Sequence, residues 1–164
     1  MSNQGNQQSA VRETAFEKQR GISQIDVRGG FAQVHVSRLG VPLVEQRLQV
    51  VRAIAEAGVS VDFFKLTPSG VSFLIAESNS DDVEQALTKM DVHYSIRKDR
   101  SVVLVHAVNM RDEEGLTARV VQQAIAGDMV VDHISDMHDR MLIVVETKFA
   151  APLASLLREA NDVE

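Results

Sequence analysis

GVSVDFF begins at Gly58 and DMVVDHI begins at Asp128, an offset of 70 residues. The agreement extends well beyond these heptapeptides. At the same offset Val50 and Val51 meet Val120 and Val121, Val59 and Val61 meet Met129 and Val131, and Asp62 meets Asp132. Val71, Phe73 and Ile75 meet Met141, Ile143 and Val145, while Val83, Ala86 and Leu87 meet Leu153, Leu156 and Leu157. Val34 meets Leu104 in the first segment of each copy. Apolar positions that recur in the same order across five segments mark an internal repeat, so each copy must be one supersecondary unit.

The first copy supplies the element order. FAQVHVS alternates as a strand, and VEQRLQVVRAIAEAG puts Leu48, Val51, Ile54 and Ala55 on one helical stripe that stops at Gly58. VSVDFFKL is β-branched and aromatic, Pro68-Ser69-Gly70 turns the chain, and VSFLIAE returns it as a hairpin partner. SNSDDVEQALTKM opens on good N-cap residues, with Val83, Ala86, Leu87 and Met90 as its apolar stripe, and VHYSIRK closes the unit. Strand, helix, strand, strand, helix, strand, written twice, predicts an α+β chain of two ferredoxin-like βαββαβ domains. Each would be a four-stranded antiparallel sheet with two helices on one face.

Two details sharpen this expectation. Phe63 and Phe64 are adjacent in a strand and must point to opposite faces, so one of them leaves the helix-covered core. It is either partly exposed or part of a second buried interface. Second, the closing strand of copy two would run past Glu164, which leaves an unpaired edge beside SVVLVHA. The segment ISQIDVR, ending at Gly29-Gly30, can complete that edge, or it can form a hairpin with FAQVHVS through the glycine pair. The residues alone leave both placements open.

Composition removes whole classes of function. At 45% hydrophobic residues the 164-residue chain can bury a core for one ordinary domain or two small ones. It has no cysteine, which excludes disulfides, thiolate metal sites and a cysteine nucleophile. A formal net charge of −6 argues against nucleic acid, since phosphate neutralisation needs concentrated Lys and Arg. No apolar run reaches the roughly 20 residues of a membrane span, and residues 1–20, rich in Gln, Asn and Ser, read as a disordered tail rather than a secretory leader. A cytoplasmic protein is expected.

Two βαββαβ units with these strands resemble the paired ACT domains that form the regulatory region of aspartokinases. AEAGVSVDFFKLTPSGVSFLIAE is similar to the stretch in which a helix-end Gly leads into a V-x-V-D strand and then a V-S-F strand. DMVVDHISDMHDRMLIVVE is similar to the matching stretch of the second domain, and EEGLTARVVQQAI to its loop glycine and first helix. The resemblance spans about Gly21 to Ala160. In that family the first ACT domain is inserted within the second, which favours ISQIDVR as the strand completing the second sheet. The domains are then 30–98 for the first, and 21–29 with 99–160 for the second.

The resemblance implies a regulator rather than an enzyme, with no catalytic residues, no cofactor and no metal. Nothing here resembles a kinase domain. It implies feedback inhibition of amino-acid biosynthesis by allosteric regulation. A free amino acid, lysine or threonine, would bind between ACT domains, within a chain or across a homodimer, and control an aspartokinase catalytic subunit. The matching positions in the first repeat are Gly40, Val41 and Pro42 with Ser60, Val61 and Asp62. In the second they are Asn109, Met110, Asp112 and Gly115, the helix start Leu116, Thr117 and Ala118, and the strand Val130, Val131 and Asp132. A helix start with free N–H groups suits a carboxylate, and Gly115 permits close approach. The first loop departs from the family pattern: Gly40 and Pro42 are separated and its usual Asp is missing. The alternative reading is a ligand-free dimeric ACT scaffold. DHISDMHD is the one metal-like cluster, and its side chains diverge along a strand. His35 and His106 are expected to be partly buried structural residues.

Overall fold

The computed structural model describes residues 21–107, 115–126, 129–137 and 139–161. The N-terminal tail, Asn109, Met110, Asp112 and His138 lie outside the described residues. The elements are β1 (Ile22–Ser37), α1 (Leu43–Glu56), β2 (Val61–Thr67), β3 (Gly70–Ala76), a 3-10 turn (Glu77–Asn79) and α2 (Ser80–Thr88). Then come β4 (His93–Ala107), α3 (Leu116–Ala126), β5 (Val131–Asp136), β6 (Arg140–Glu146) and α4 (Thr147–Asn161). All six strands form one antiparallel sheet in the order β2-β3-β1-β4-β6-β5.

Strands β1 and β4 each serve both repeats. The C-terminal half of β1 lies between β3 and the first half of β4, with Val34 opposite Phe73 on one side and Ile96 on the other. Its N-terminal half, Ile22 to Arg28, pairs with Ala107 to Val102 of β4 and supplies the fourth strand of the second sheet. Gly29-Gly30 is therefore not a hairpin turn. The strand runs through it with register shifts between Arg28 and Gln33, and Gly30 takes a φ of 83°. On β4 the corresponding irregularity is Asp99, at a φ of 58°. Bulges of this kind increase local twist and let one long strand pass from one repeat to the other within the sheet.

The helix-covered side of each repeat holds its own core. Val34, Val36, Val50, Phe73, Ile75, Val83 and Leu87 fill the first, and Val103, Val105, Val120, Met141, Ile143, Leu153 and Leu157 fill the second. Two expectations from the sequence need correction. Val34 is matched by Val103, not Leu104: Val34 faces Phe73 as Val103 faces Ile143. The repeat offset is one residue shorter in the first strand, and a one-residue slip flips a side chain to the other face. On α1 the buried stripe is Val50 and Ile54, whereas Leu48, Val51 and Ala55 are exposed. Arg47, on the inward side, turns its guanidinium to the Thr67 and Gly70 carbonyls and ties α1 to the β2–β3 turn.

A third core lies on the helix-free side. Leu74, Val102, Leu104, Leu142 and Val144 are buried there with Phe31 and Phe63 packed against them. The sheet curls so that the helix-free faces of the two repeats meet. The Phe63 and His133 rings, at equivalent repeat positions, touch with centroids 4.1 Å apart. Phe64 points the other way and stacks on Phe73 at 5.9 Å. Equivalent residues meeting each other is what an internal two-fold relation between the repeats produces.

Candidate functional site

The expected ligand positions fall in two groups per repeat. In the first, Gly40 to Pro42 lead into α1, and Leu39 N–H donates to the Ser69 carbonyl at 2.9 Å, placing this loop beside the β2–β3 turn. Pro42 is the N-cap; its carbonyl takes the first helical bond from Gln46, and no side chain caps the helix. The backbone N–H groups of Leu43, Val44 and Glu45 thus have no acceptor within the helix, and the adjacent end of the helix dipole is positive. The turn is held tightly: a Cβ on Gly70 would sit 1.9 Å from the Val36 carbonyl oxygen, so only glycine lets β3 approach β1 here.

Ser60, Val61 and Asp62 stand at the far end of α1. The helix has 14 residues, about 21 Å at 1.5 Å per residue. Val61 and Asp62 line a recess of about 340 Å³ with Val51, Ala55, Phe64 and Phe73. This recess opens between the outer face of α1 and edge strand β2. The two groups of first-repeat positions therefore do not converge within one chain.

The second repeat follows the same plan. Gly115, at a φ of 81°, accepts the first helical bond from Arg119 N–H at 2.9 Å. That backbone conformation is one that side-chain-bearing residues rarely adopt. Leu116 is buried, Thr117 half-buried and Ala118 exposed, while Val130 is exposed and Val131 half-buried at the other end of the helix.

Asp132 is already engaged. Its side chain is 1% exposed, with Oδ1 2.6 Å from Arg97 Nη1 and Oδ2 2.5 Å from Arg100 Nε. Both arginines come from β4 around its irregularity, so the carboxylate fastens β5 of the second repeat to the strand both repeats share. Other described residues of the DHISDMHD run also point apart: His133 packs on Phe63, and Asp139 pairs with Arg140 at 2.9 Å. Among the described residues no three His, Asp or Glu side chains converge on a metal position.

The histidines separate by environment. His106 Nε2 is 3.1 Å from Asp26 Oδ2, and the Asp26 carboxyl is held below the usual range by hydrogen bonds from Gln24 and then His106. His35, expected to be partly buried, is instead exposed on the helix-free face. His133 is 9% exposed, and its buried Nε2 has no hydrogen-bond partner among the described residues. Burial, and then the nearby Lys65 charge, hold its pKa below the ordinary 6.5. The unfolded chain takes up a proton near pH 6.5 while the native state resists it, so stability is full above that value and falls on acidification toward the folded pKa. A urea midpoint measured from pH 7.5 to 5 is expected to drop in this sense, and His133→Gln to flatten the drop; an unchanged slope in the variant would assign it elsewhere.

Lys65, Arg97, Arg100 and Ser72 did not stand out in the sequence. Their grouping depends on cross-strand register. The one available signal was Ser72 standing where the second copy has buried Leu142.

Taken together, two βαββαβ units on a continuous sheet, with β1 and β4 shared between them, define a tandem ACT fold. No protein-family model matches the chain. The fold is that of the regulatory subunit of aspartate kinase. The ligand-free subunit from Thermus thermophilus superposes with a TM-score of 0.72, covering 86% of this chain and 99% of that one at 16% identity. A structure of aspartokinase alpha and beta subunits gives 0.75, covering 87% and 99% at 15% identity. In sequence the chain is 27% identical over 117 residues to Aspartokinase 1 of Bacillus subtilis (strain 168), spanning 70% of this chain but only 28% of that relative's length. No helix among the described residues is long and apolar enough to cross a membrane.

Proposed function

We propose that this chain is a non-catalytic regulatory unit with two ACT domains, 30–98 and 21–29 with 99–160, that senses a free amino acid and controls an aspartokinase-like enzyme. Lysine and threonine are the first effectors to test. The observation that carries this reading is the inserted topology on one continuous sheet, matched along 99% of a regulatory subunit of aspartate kinase. Further support comes from the separation of the helix starts from the strand ends. A zwitterion has a carboxylate for the former and an ammonium for the latter, and both can be met only where one ACT unit lies against another.

A homodimer supplies that apposition. Val44, Leu48 and Val51 form an exposed apolar stripe on α1, continued by Phe64 and Leu66 on edge strand β2. An apolar edge of this kind favours pairing with a second chain. Ligand at the seam would then favour one placement of the domains, and a catalytic subunit would respond to that placement.

Thermal unfolding in the presence of each standard amino acid tests the proposal. An effector at a hundredfold excess over its Kd adds about 2.7 kcal/mol, raising Tm by roughly 5–10 °C. Silence from all of them would leave the alternative, a dimeric ACT scaffold without a ligand.

A further inference from the structure

We propose that the helix-free face of the first repeat binds a compact dianion, phosphate or a small dicarboxylate, in the recess bounded by Lys65, His35, Ser95 and Arg97. This goes beyond the amino-acid site: the recess lies on the helix-free side of the sheet, and of its lining only Asp132 is among the expected amino-acid positions, its carboxylate already paired with Arg97 and Arg100.

Cross-strand register assembles the recess. Lys65 pairs with Ser72, Ser72 with His35, and His35 with Ser95. Four strands thus present one polar row, about 14 Å across at 4.8 Å per strand. The adjoining row adds Gln33 opposite Arg97. These residues, with Thr67, Asp132 and His133, line a cavity of about 290 Å³. Ser72 is held in place by Gln33 and the Val34 carbonyl.

The repeat itself shows that this polarity is not a folding requirement. In the second copy Ser72 and Leu74 become Leu142 and Val144, and that face is buried and apolar. In the first copy it is apolar only as far as Leu74 and then turns polar and open. The charges also have one sign to spare. Among the described residues Lys65 has no ion-pair partner, and the one carboxylate lining the cavity, Asp132, is shared by Arg97 with Arg100. A cationic concavity in a chain of net charge −6 is selective for anions. His133, nine-tenths buried at the cavity wall, adds an Nε2 that has no hydrogen-bond partner among the described residues. Hydroxyls of Ser95 and Thr67 complete a set of donors suited to several oxyanion oxygens.

Histidine C–H resonances of the full chain, followed by NMR at pH 7, test this. Titration with sodium phosphate or sodium succinate is expected to shift His35 and His133 saturably beyond any change with sodium chloride at equal ionic strength. Whichever dianion saturates first identifies the ligand class. Lys65→Met, at an exposed position, is expected to weaken the response at least tenfold while leaving any amino-acid stabilisation intact. If that variant does not fold, Ser95→Leu, which fills the recess, is expected to give the same loss. Shifts that match chloride, fail to saturate or persist in both variants would overturn the proposal. So would shifts that follow protein concentration without anion, because a second copy would then cover this face.

Discussion

Asp132→Ala is expected to destabilise the protein by about 3–5 kcal/mol, the usual cost of removing one partner from a buried charge cluster. The carboxylate is almost fully enclosed and answers two guanidiniums at 2.6 and 2.5 Å. Arg100 is only 12% exposed, so without Asp132 its charge would remain largely desolvated and unmatched. Arg97→Ala should cost far less, because that side chain is 58% exposed and solvated when unpaired. Urea unfolding compares the three proteins directly. With a slope of about 1–3 kcal/mol per molar urea, the alanine at 132 is expected to lower the midpoint by more than about 1 M. Equal, small effects from both substitutions would mean that the β4–β5 linkage is not structural.

Leu74→Ala is expected to cost about 2–5 kcal/mol, the range for emptying a fully buried leucine site. This side chain lies on the helix-free face, where a lone ferredoxin-like unit would leave it in water. Its burial is therefore a direct measure of the seam between the repeats. Ile125→Ala, exposed on α3 and away from the apolar patch of α1 and β2, is expected to stay within about 0.5 kcal/mol of the parent. If the two substitutions cost the same, the third core does not contribute to folding.

Much of the architecture was readable because each element carries its own period. The helix-covered core residues Val83, Leu87, Leu153 and Leu157 were all visible from spacing alone, as were Phe73 and Ile75 with their partners Ile143 and Val145. The stripe of α1 was misread because both of its sides are apolar: Leu48 and Val51 compete with Val50 and Ile54, and only packing decides between them. The glycine pair at 29–30 read as a turn because local chemistry cannot distinguish a hairpin from a bulge in a strand that continues.

The positions that the family resemblance implies for a ligand are short segments of sequence, and nothing local in the chain says how they lie relative to one another. Any helix start carries free N–H groups; the first helix is readable from periodicity to within a residue of its start at Leu43, and the start at Leu116 is what the resemblance implies. Their distance from Ser60–Asp62 and Val130–Asp132 depends on helix length and strand direction.

By itself the sequence determined the duplication, the order of elements within each copy and the two helix-covered cores. Those features depend on contacts between residues near in the chain or on side-chain periods of 2 and 3.6. Only the tertiary structure decided that β1 and β4 are shared, that Asp132 lies between Arg97 and Arg100, and that Lys65, Ser72, His35 and Ser95 form one row. Register between distant strands is set by the packing of the whole sheet, and a slip of a single residue would send each of these side chains to the opposite face.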